Sequence, residues 1–432
     1  MIRGGTVVTI RGTERADVAV SDGRISAVGR DLELDTNEVI DAAGLHVFPG
    51  GIDSHVHFNE PGRTEWETIA NGSAALAAGG YTTFIDMPLN NLPVTVDGAA
   101  FDSKLEAAHR SSLLDFGLWG GLVPGNLDRL AEMAGRGAVG FKAFMCDSGI
   151  GEFPACDPTT LREGMKLIAG LDSILLVHAE DPAWLDSHPR GHRPRDYVRS
   201  RPPEAEHRAI EEAARVAGET GCRLHVVHVS TAHGAELVAE ARRRGVDVTC
   251  ETCPHYLIYV EDDLERLGGR GKCAPPLRTA ADRELLWTML AAGELPMVVS
   301  DHSPSTPELK HKDDFFEIWG GISGCQSTRQ LLLAQDRLPL PTVAAVTATN
   351  VARRFGIEHK GDIAPGFDAD LWLVDLRHTD VVRKDDLLYL NRFSAHESQP
   401  IRGRTVRTIV RGRTVSAGSP PGGRLIRPGA RS

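Results

Sequence analysis

Two histidines one residue apart, His55 and His57, close an apolar run in the segment Asp53-Ser54-His55-Val56-His57. Along an extended strand, residues two apart point to the same side, so both imidazoles can reach one cation. Alone, such a pair is also two histidines in a polar loop. Lys142 lies between apolar neighbours in Gly140-Phe141-Lys142-Ala143-Phe144, where a charged ammonium is costly. Burial lowers the pKa of a lysine, and a neutral amine can combine with carbon dioxide to give a carbamate. A carbamate has two oxygens and a negative charge, so it can bridge two cations. The competing reading is a lysine whose stem lies along the core while its ammonium reaches water. His178 stands in LLVHAE, His228 in HVVHVS and Asp301 in VVSDHSP. Each of these singly reads as a hydrogen-bonded core residue. Together the six supply the nitrogen and oxygen ligands that two divalent ions need. His225, three residues before His228, faces the other way on a strand and reads as structural. Cys250 and Cys253 form a C-x-x-C with no second pair, which reads as core packing.

The elements that must carry these residues follow from hydrophobic patterning. Short alternating segments open the chain: TVVTI, ADVAV, a turn at Ser21-Asp22-Gly23, then RISAVG. Similar segments close it, ADLWLVDL and TVRTIVRGRTVSAG. Between them, eight β-like runs alternate with helical patterns such as Glu65–Ala78, Glu204–Glu219, Ala232–Arg243 and Ala280–Ala291. Two further helices are expected near Ser323–Gln335 and Pro341–Phe355. Repeated strand–helix alternation implies a parallel sheet, and eight units suggest an α/β fold of the (β/α)8 TIM-barrel type. The candidate ligands then fall at the C-terminal ends of strands, where barrel sites form. The expected organisation is a barrel over 49–355, a small β-sandwich domain built from 1–48 and 356–418, and a flexible tail over 419–432 rich in Pro, Gly and Arg.

Composition removes several function classes. The 432 residues carry 48 basic and 59 acidic side chains, a net charge of −11. That balance argues against nucleic-acid binding, which needs a basic face. No stretch approaches ~20 apolar residues, so no membrane span is expected, and no secretory leader is visible. Seven scattered cysteines suggest reduced thiols in the cytoplasm, not a disulfide framework.

The ordered set His55, His57, Lys142, His178, His228 and Asp301 resembles the amidohydrolase superfamily, in its cyclic-amidase branch of hydantoinases, dihydroorotases and allantoinases. The resemblance spans nearly the whole chain, including GDIAPGFDADLWLVD. It implies a binuclear centre of two divalent ions, zinc foremost, with cobalt, manganese or iron as alternatives. In it His55 and His57 would bind one ion and His178 and His228 the other. Lys142, carrying a carbamate derived from carbon dioxide, would bridge them. Asp301 would bind the first ion and act as the catalytic base. The segments HVHFNEPGRTEWE, DMPLNNLPVT, GFKAFMCDSGIGEFP, ETCPHY, KCAPPLR and WGGISGCQ resemble allantoinases in particular. Dihydroorotases typically carry an arginine two residues past the second histidine, to hold a carboxylate; here it is Asn59. Hydantoinases and dihydropyrimidinases typically carry a tyrosine five residues past the lysine; here it is Asp147, followed by Ser148. The resemblance thus implies a small-molecule substrate, uncharged allantoin, with Asn59, Asp147 and Ser148 as candidate contacts. Hydantoinase, dihydropyrimidinase and dihydroorotase activities are the alternatives, and a homotetramer is the implied assembly. Superfamily members that serve only as scaffolds are recognised by lost ligands, and here all six positions are filled.

Overall fold

The computed structural model describes residues 1–33, 36–185 and 191–429. Strands β1 (Ile2–Thr9), β2 (Gly12–Ser21) and β3 (Arg24–Gly29) form an antiparallel meander. Asp22 and Gly23 both have positive φ, at 52° and 79°. That is the hairpin turn whose twist matches the strands it joins. Two short strands follow, β4 (Ile40–Asp41) and β5 (His46–Pro49), both parallel to β1.

The first long apolar run then divides. His46–Pro49 stays in this sheet, and β6 (Gly51–Val56) leaves it to begin a second set of strands. Gly50 sits at the division, where a side-chain carbon would lie 2.2 Å from Thr82 Oγ1. Strands β7 (Tyr81–Asp86), β8 (Asp115–Leu118), β9 (Gly120–Gly121), β10 (Phe141–Phe144), β11 (Ile174–His178), β12 (Arg223–Val226), β13 (Val248–Thr252) and β14 (Met297–Val298) follow. Pairing is parallel throughout: β6 with β7, β7 with β8, then β9 with β10 and onward in order to β14. β8 and β9 are one run interrupted at Trp119. A parallel bridge between Val56 and His302, with the His57 amide donating to the His302 carbonyl at 2.8 Å, joins the last run back to β6. Eight parallel runs thus succeed one another around a ring.

Helices fill the connections. The longest, Pro203–Thr220, buries Ala205, Ala209, Ile210, Ala213, Ala214 and Ala217, a stripe of small residues at helical spacing. It ends at Gly221 in the left-handed region, where a β-carbon would be penalised. The helix expected from Glu65 begins later, at Ile69–Ala78. Thr68 caps it by accepting from the Asn71 amide, and Glu67 is drawn off to accept from Leu390 instead. The segment expected to be one helix from Pro341 is Leu340–Ala344 and Asn350–Phe355, joined by a π-helical turn at Ala345–Thr349.

The terminal strands β15 (Leu371–Val381), β16 (Pro400–Val410) and β17 (Arg413–Val415) complete the first sheet, in the order β17-β16-β15-β5-β1-β2-β3 with β4 beside β1. β5 hydrogen-bonds on both edges, to β1 and to β15, and so fuses the two chain ends into one continuous sheet. The expectation of a loose tail is corrected for residues 419–429. Phe116 and residues 424–426 exchange backbone hydrogen bonds of 2.9 and 2.8 Å, and Gly429 donates to Gly356 at 2.9 Å. Chain bonded to a neighbouring strand is not free to move, whatever its Pro and Gly content. Residues 430–432 of that tail lie outside the described residues.

Candidate metal centre

The six candidate ligands converge at one end of the ring. His55 and His57 leave the end of β6 on one side, as their spacing requires. His55 Nε2 lies 3.1 Å and His57 Nε2 3.5 Å from Asp301 Oδ1. His178 ends β11, and its Nδ1 lies 3.0 Å from Nε2 of His228. The His55 and His228 rings, 5.5 Å apart between centroids, join the two groups. His228 and Asp301 both have positive φ, at 39° and 45°. Histidine and aspartate are among the side chains that tolerate this region best. Such conformations cost on the order of 1–3 kcal/mol each and persist where surrounding structure enforces them. Here each breaks the alternation of its strand and directs a ligand inward.

Which nitrogen faces the centre is set by neighbouring carboxylates. His55 Nδ1 lies 2.6 Å from Glu251 Oε1, and Glu251 Oε2 also takes Nε2 of His225 at 3.1 Å. His178 Nε2 lies 2.6 Å from Glu180 Oε2, and Arg201 grips both oxygens of that carboxylate. Burial opposes the charge of Glu251, but His225 and His55 outweigh it and hold its pKa at about 2. Glu180 is likewise held below the carboxylate range, against its burial, by Arg201 and His178. A permanent acceptor keeps the proton on the outer ring nitrogen and leaves the inner lone pair free for a cation. Asp301 is also held charged: burial works against it, and His55, His57 and His228 together prevail.

Lys142 extends from β10 into the same space and is buried. Its Nζ has no hydrogen-bond partner among the described residues. Burial pulls its pKa down to about 7, against the attraction of Asp301 and Glu251. Burial thus favours the neutral amine.

These residues fit a pair of divalent cations. Nδ1 of His178 and Nε2 of His228 face each other at 3.0 Å, and Glu180 already takes the proton of His178 on its other nitrogen. Nδ1 of His228, on the far side of its ring, is buried and without a partner. His55, His57 and Asp301 bring three ligand atoms within 4.8 Å of one another.

The cleft above these groups is lined by Leu89, Asn90, Ser148, Cys273, Ser303 and Trp319, among others. Of the three candidate substrate contacts, only Ser148 lies here, and its hydroxyl is engaged with the Phe153 carbonyl at 2.6 Å. Asn59 is buried behind the cleft, its amide 3.4 Å from the Pro304 carbonyl. Asp147 is not brought to the cleft. It is exposed and caps the Gly149 amide at 3.0 Å, and it lines a separate groove with Pro158 and Arg208. An aspartate two residues before a glycine closes a local turn, and that turn points the carboxylate to solvent. Sequence reasoning assigned no role to Asn90, Ser303, Trp319, Glu180 or Glu251. Asn90, Trp319 and Glu251 lie in the family-like segments, Ser303 is two residues past Asp301 and Glu180 two residues past His178. Those positions were the only available signal.

The amidohydrolase family model matches residues 46–415. An allantoinase of Rubrobacter xylanophilus is 52% identical over 99% of this chain and 97% of its own length. An allantoinase of Solibacter usitatus is 49% identical over 100% of this chain and 97% of its own. Among solved structures, the L-hydantoinase (dihydropyrimidinase) of Arthrobacter aurescens superposes with a TM-score of 0.95 at 33% identity, covering 99% of both chains. The dihydropyrimidinase of Brevibacillus agri gives a TM-score of 0.90 at 29% identity, over 100% of this chain and 99% of its own.

Proposed function

The chain belongs to the amidohydrolase family, and from that premise we propose that it hydrolyses the hydantoin ring of allantoin to give allantoate. It is an enzyme that opens a cyclic amide, as its full-length relatives and its family indicate. The observation that carries the choice of substrate is the cleft lining. Among its described residues, the only lysine or arginine is Lys142. A carboxylated ring would lack a charge-assisted partner there, whereas allantoin is uncharged and polar.

In this reading the ring of eight parallel runs is a (β/α)8 barrel over 49–355, with the site at the C-terminal ends of its strands. The terminal segments 1–48 and 356–418 form the accompanying β domain. His55, His57 and Asp301 would hold one divalent cation, and His178 and His228 the other. Lys142, as a carbamate, would be the ligand shared between them; its lowered pKa and unpartnered amine support this. When bound, such a pair supplies a water acidified toward neutral pH and a Lewis acid for the amide carbonyl.

The protein's own part is positioning and proton transfer. Asp301 takes the proton of the attacking water on a carboxylate oxygen and returns it to the departing ring nitrogen. A carbon–oxygen bond forms, the ring carbon–nitrogen bond breaks, and the nitrogen leaves as a neutral N–H. Phe144, stacked on His178 at 4.6 Å, shields that side of the cleft from water. Zinc suits the histidine and carboxylate donors, as do cobalt, manganese and iron.

No helix of the described residues is long and apolar enough to cross a membrane. All seven cysteines are free and buried, which supports a reducing, cytoplasmic setting. The reading includes a homotetramer, which sedimentation of the purified enzyme tests.

The deciding experiment is a substrate panel of allantoin, hydantoin, dihydrouracil and dihydroorotate with added divalent metal. Allantoin should have the highest kcat/KM. Faster opening of dihydrouracil or of unsubstituted hydantoin moves the assignment to the hydantoinase branch.

A further inference from the structure

We propose that the indole N–H of Trp319 selects the ring substituent of the substrate, by donating to the carbonyl oxygen of the ureido group. The inference rests on the allantoin reading above and adds the residue that distinguishes this substrate from other hydantoins.

Trp319 lines the cleft. Its Nε1 is buried and has no acceptor among the described residues. A buried indole N–H normally finds a partner, so one left unpartnered on a residue that lines the cleft marks a place for an acceptor on the ligand. The donor is also rigidly presented. The Trp319 amide donates to the Leu309 carbonyl at 3.0 Å, and its carbonyl accepts from Lys310 Nζ at 2.8 Å. Lys272 holds the preceding Phe316 and Ile318 carbonyls. The indole packs edge-on against Trp66 at 4.8 Å, and the Arg63 guanidinium lies over Trp66 at 4.9 Å. Backbone and ring are thus fixed independently of any ligand, which lowers the cost of binding one.

The adjoining space is open. A side-chain carbon built on Gly320 would meet nothing within 4 Å, and Gly320 also lines the cleft. Of the polar groups expected from sequence to serve this substituent, Ser148 donates to the Phe153 carbonyl and Asp147 accepts from the Gly149 amide; Asn59 donates through Nδ2 to the Pro304 carbonyl, and its unpartnered Oδ1 can only accept. The unspent donor is neutral, so it suits a carbonyl oxygen and gives a carboxylate no counter-charge. A ureido chain has such an oxygen; an alkyl chain of equal length does not.

The test compares allantoin with 5-propylhydantoin, which keeps the ring and chain length and loses the carbonyl. Trp319→Phe retains the aromatic packing and removes the N–H. Its kcat/KM for allantoin should fall roughly threefold to tenfold more than its kcat/KM for 5-propylhydantoin, the worth of one neutral hydrogen bond. An equal fall on both substrates would mean a purely structural role and overturns the proposal. Gly320→Val tests the same pocket with Trp319 intact. It should reduce the preference for allantoin over unsubstituted hydantoin by roughly tenfold or more, and an unchanged preference overturns the placement. A wild-type enzyme that opens hydantoin and ignores allantoin overturns the substrate reading itself, a result distinct from either variant's.

Discussion

Nε2 of His178 lies 2.6 Å from Oε2 of Glu180, and this contact determines that Nδ1 faces the centre. Glu180 is itself held by Arg201 through Nε at 3.1 Å and Nη2 at 2.5 Å. A buried carboxylate between an imidazole and a guanidinium does not adopt another rotamer cheaply, so the ring orientation is settled before any cation arrives. Glu180→Gln should keep the shape, weaken the grip on the tautomer and lower metal affinity by roughly 10–100-fold. Titration of the metal-free protein against a competing chelator measures this. An affinity equal to wild type would remove Glu180 from the account.

Lys142→Ala should cost more metal than Glu180→Gln, because it removes a bridging group and not its support. Metal content after gel filtration is the readout. Metal-free wild type should regain activity faster when bicarbonate accompanies the metal, and the variant should not respond to bicarbonate. A variant that purifies with two equivalents of metal would sink the bridging role.

Asp301→Asn tests the proton shuttle. The carboxamide cannot take the proton of water, and a loss of roughly 10²-fold or more in kcat is expected. The substitution also removes a negative ligand, so kcat should be measured at saturating metal. Near-normal turnover there would show that another group is the base.

The fourth prediction concerns stability at the junction of ring and sheet. Lys360 Nζ lies 2.8 Å from Asp115 and 2.6 Å from Asp370, with Asp368 at 3.1 Å. Arg411 also reaches Asp115. Burial opposes the ammonium, but Asp370, Asp115 and Asp368 raise its pKa above the ordinary lysine value. Lys360→Met leaves buried carboxylates short of a cation and should cost about 3–5 kcal/mol, read as a lower unfolding midpoint. The linkage sign follows from a raised pKa. The contribution is complete below the unfolded value of about 10.4 and is lost only as pH rises through the higher folded value. Wild type and variant should therefore differ fully at pH 7 and converge in strong alkali. A midpoint equal to wild type at pH 7 would contradict the assignment.

Much of the centre was legible because it depends on local geometry. His55 and His57 share a face through the two-residue repeat of a strand, and no distant contact alters that. Lys142 was marked by its apolar neighbours in β10, and its burial follows from that composition. Alternation of β-like runs and helical patterns indicated a parallel sheet without knowledge of any single contact. Asp147 was misread because its two-residue relation to Gly149 makes a turn, and a turn decides direction more strongly than proximity to a ligand does.

What the sequence determined by itself was the set of ligands and their order along the chain, since residue type and strand periodicity are properties of a few neighbouring residues. Tertiary structure decided the rest. Glu251 supports His55 from 196 positions away. The cleft wall assembles Asn90, Cys273 and Trp319 from separate connections, and Arg424 and Ile426 return to bond Phe116. His228 and Asp301 turn inward through backbone conformations that no side-chain pattern announces. Each of these rests on contacts that exist only after the last run has closed against β6, and closure is a relation between distant segments.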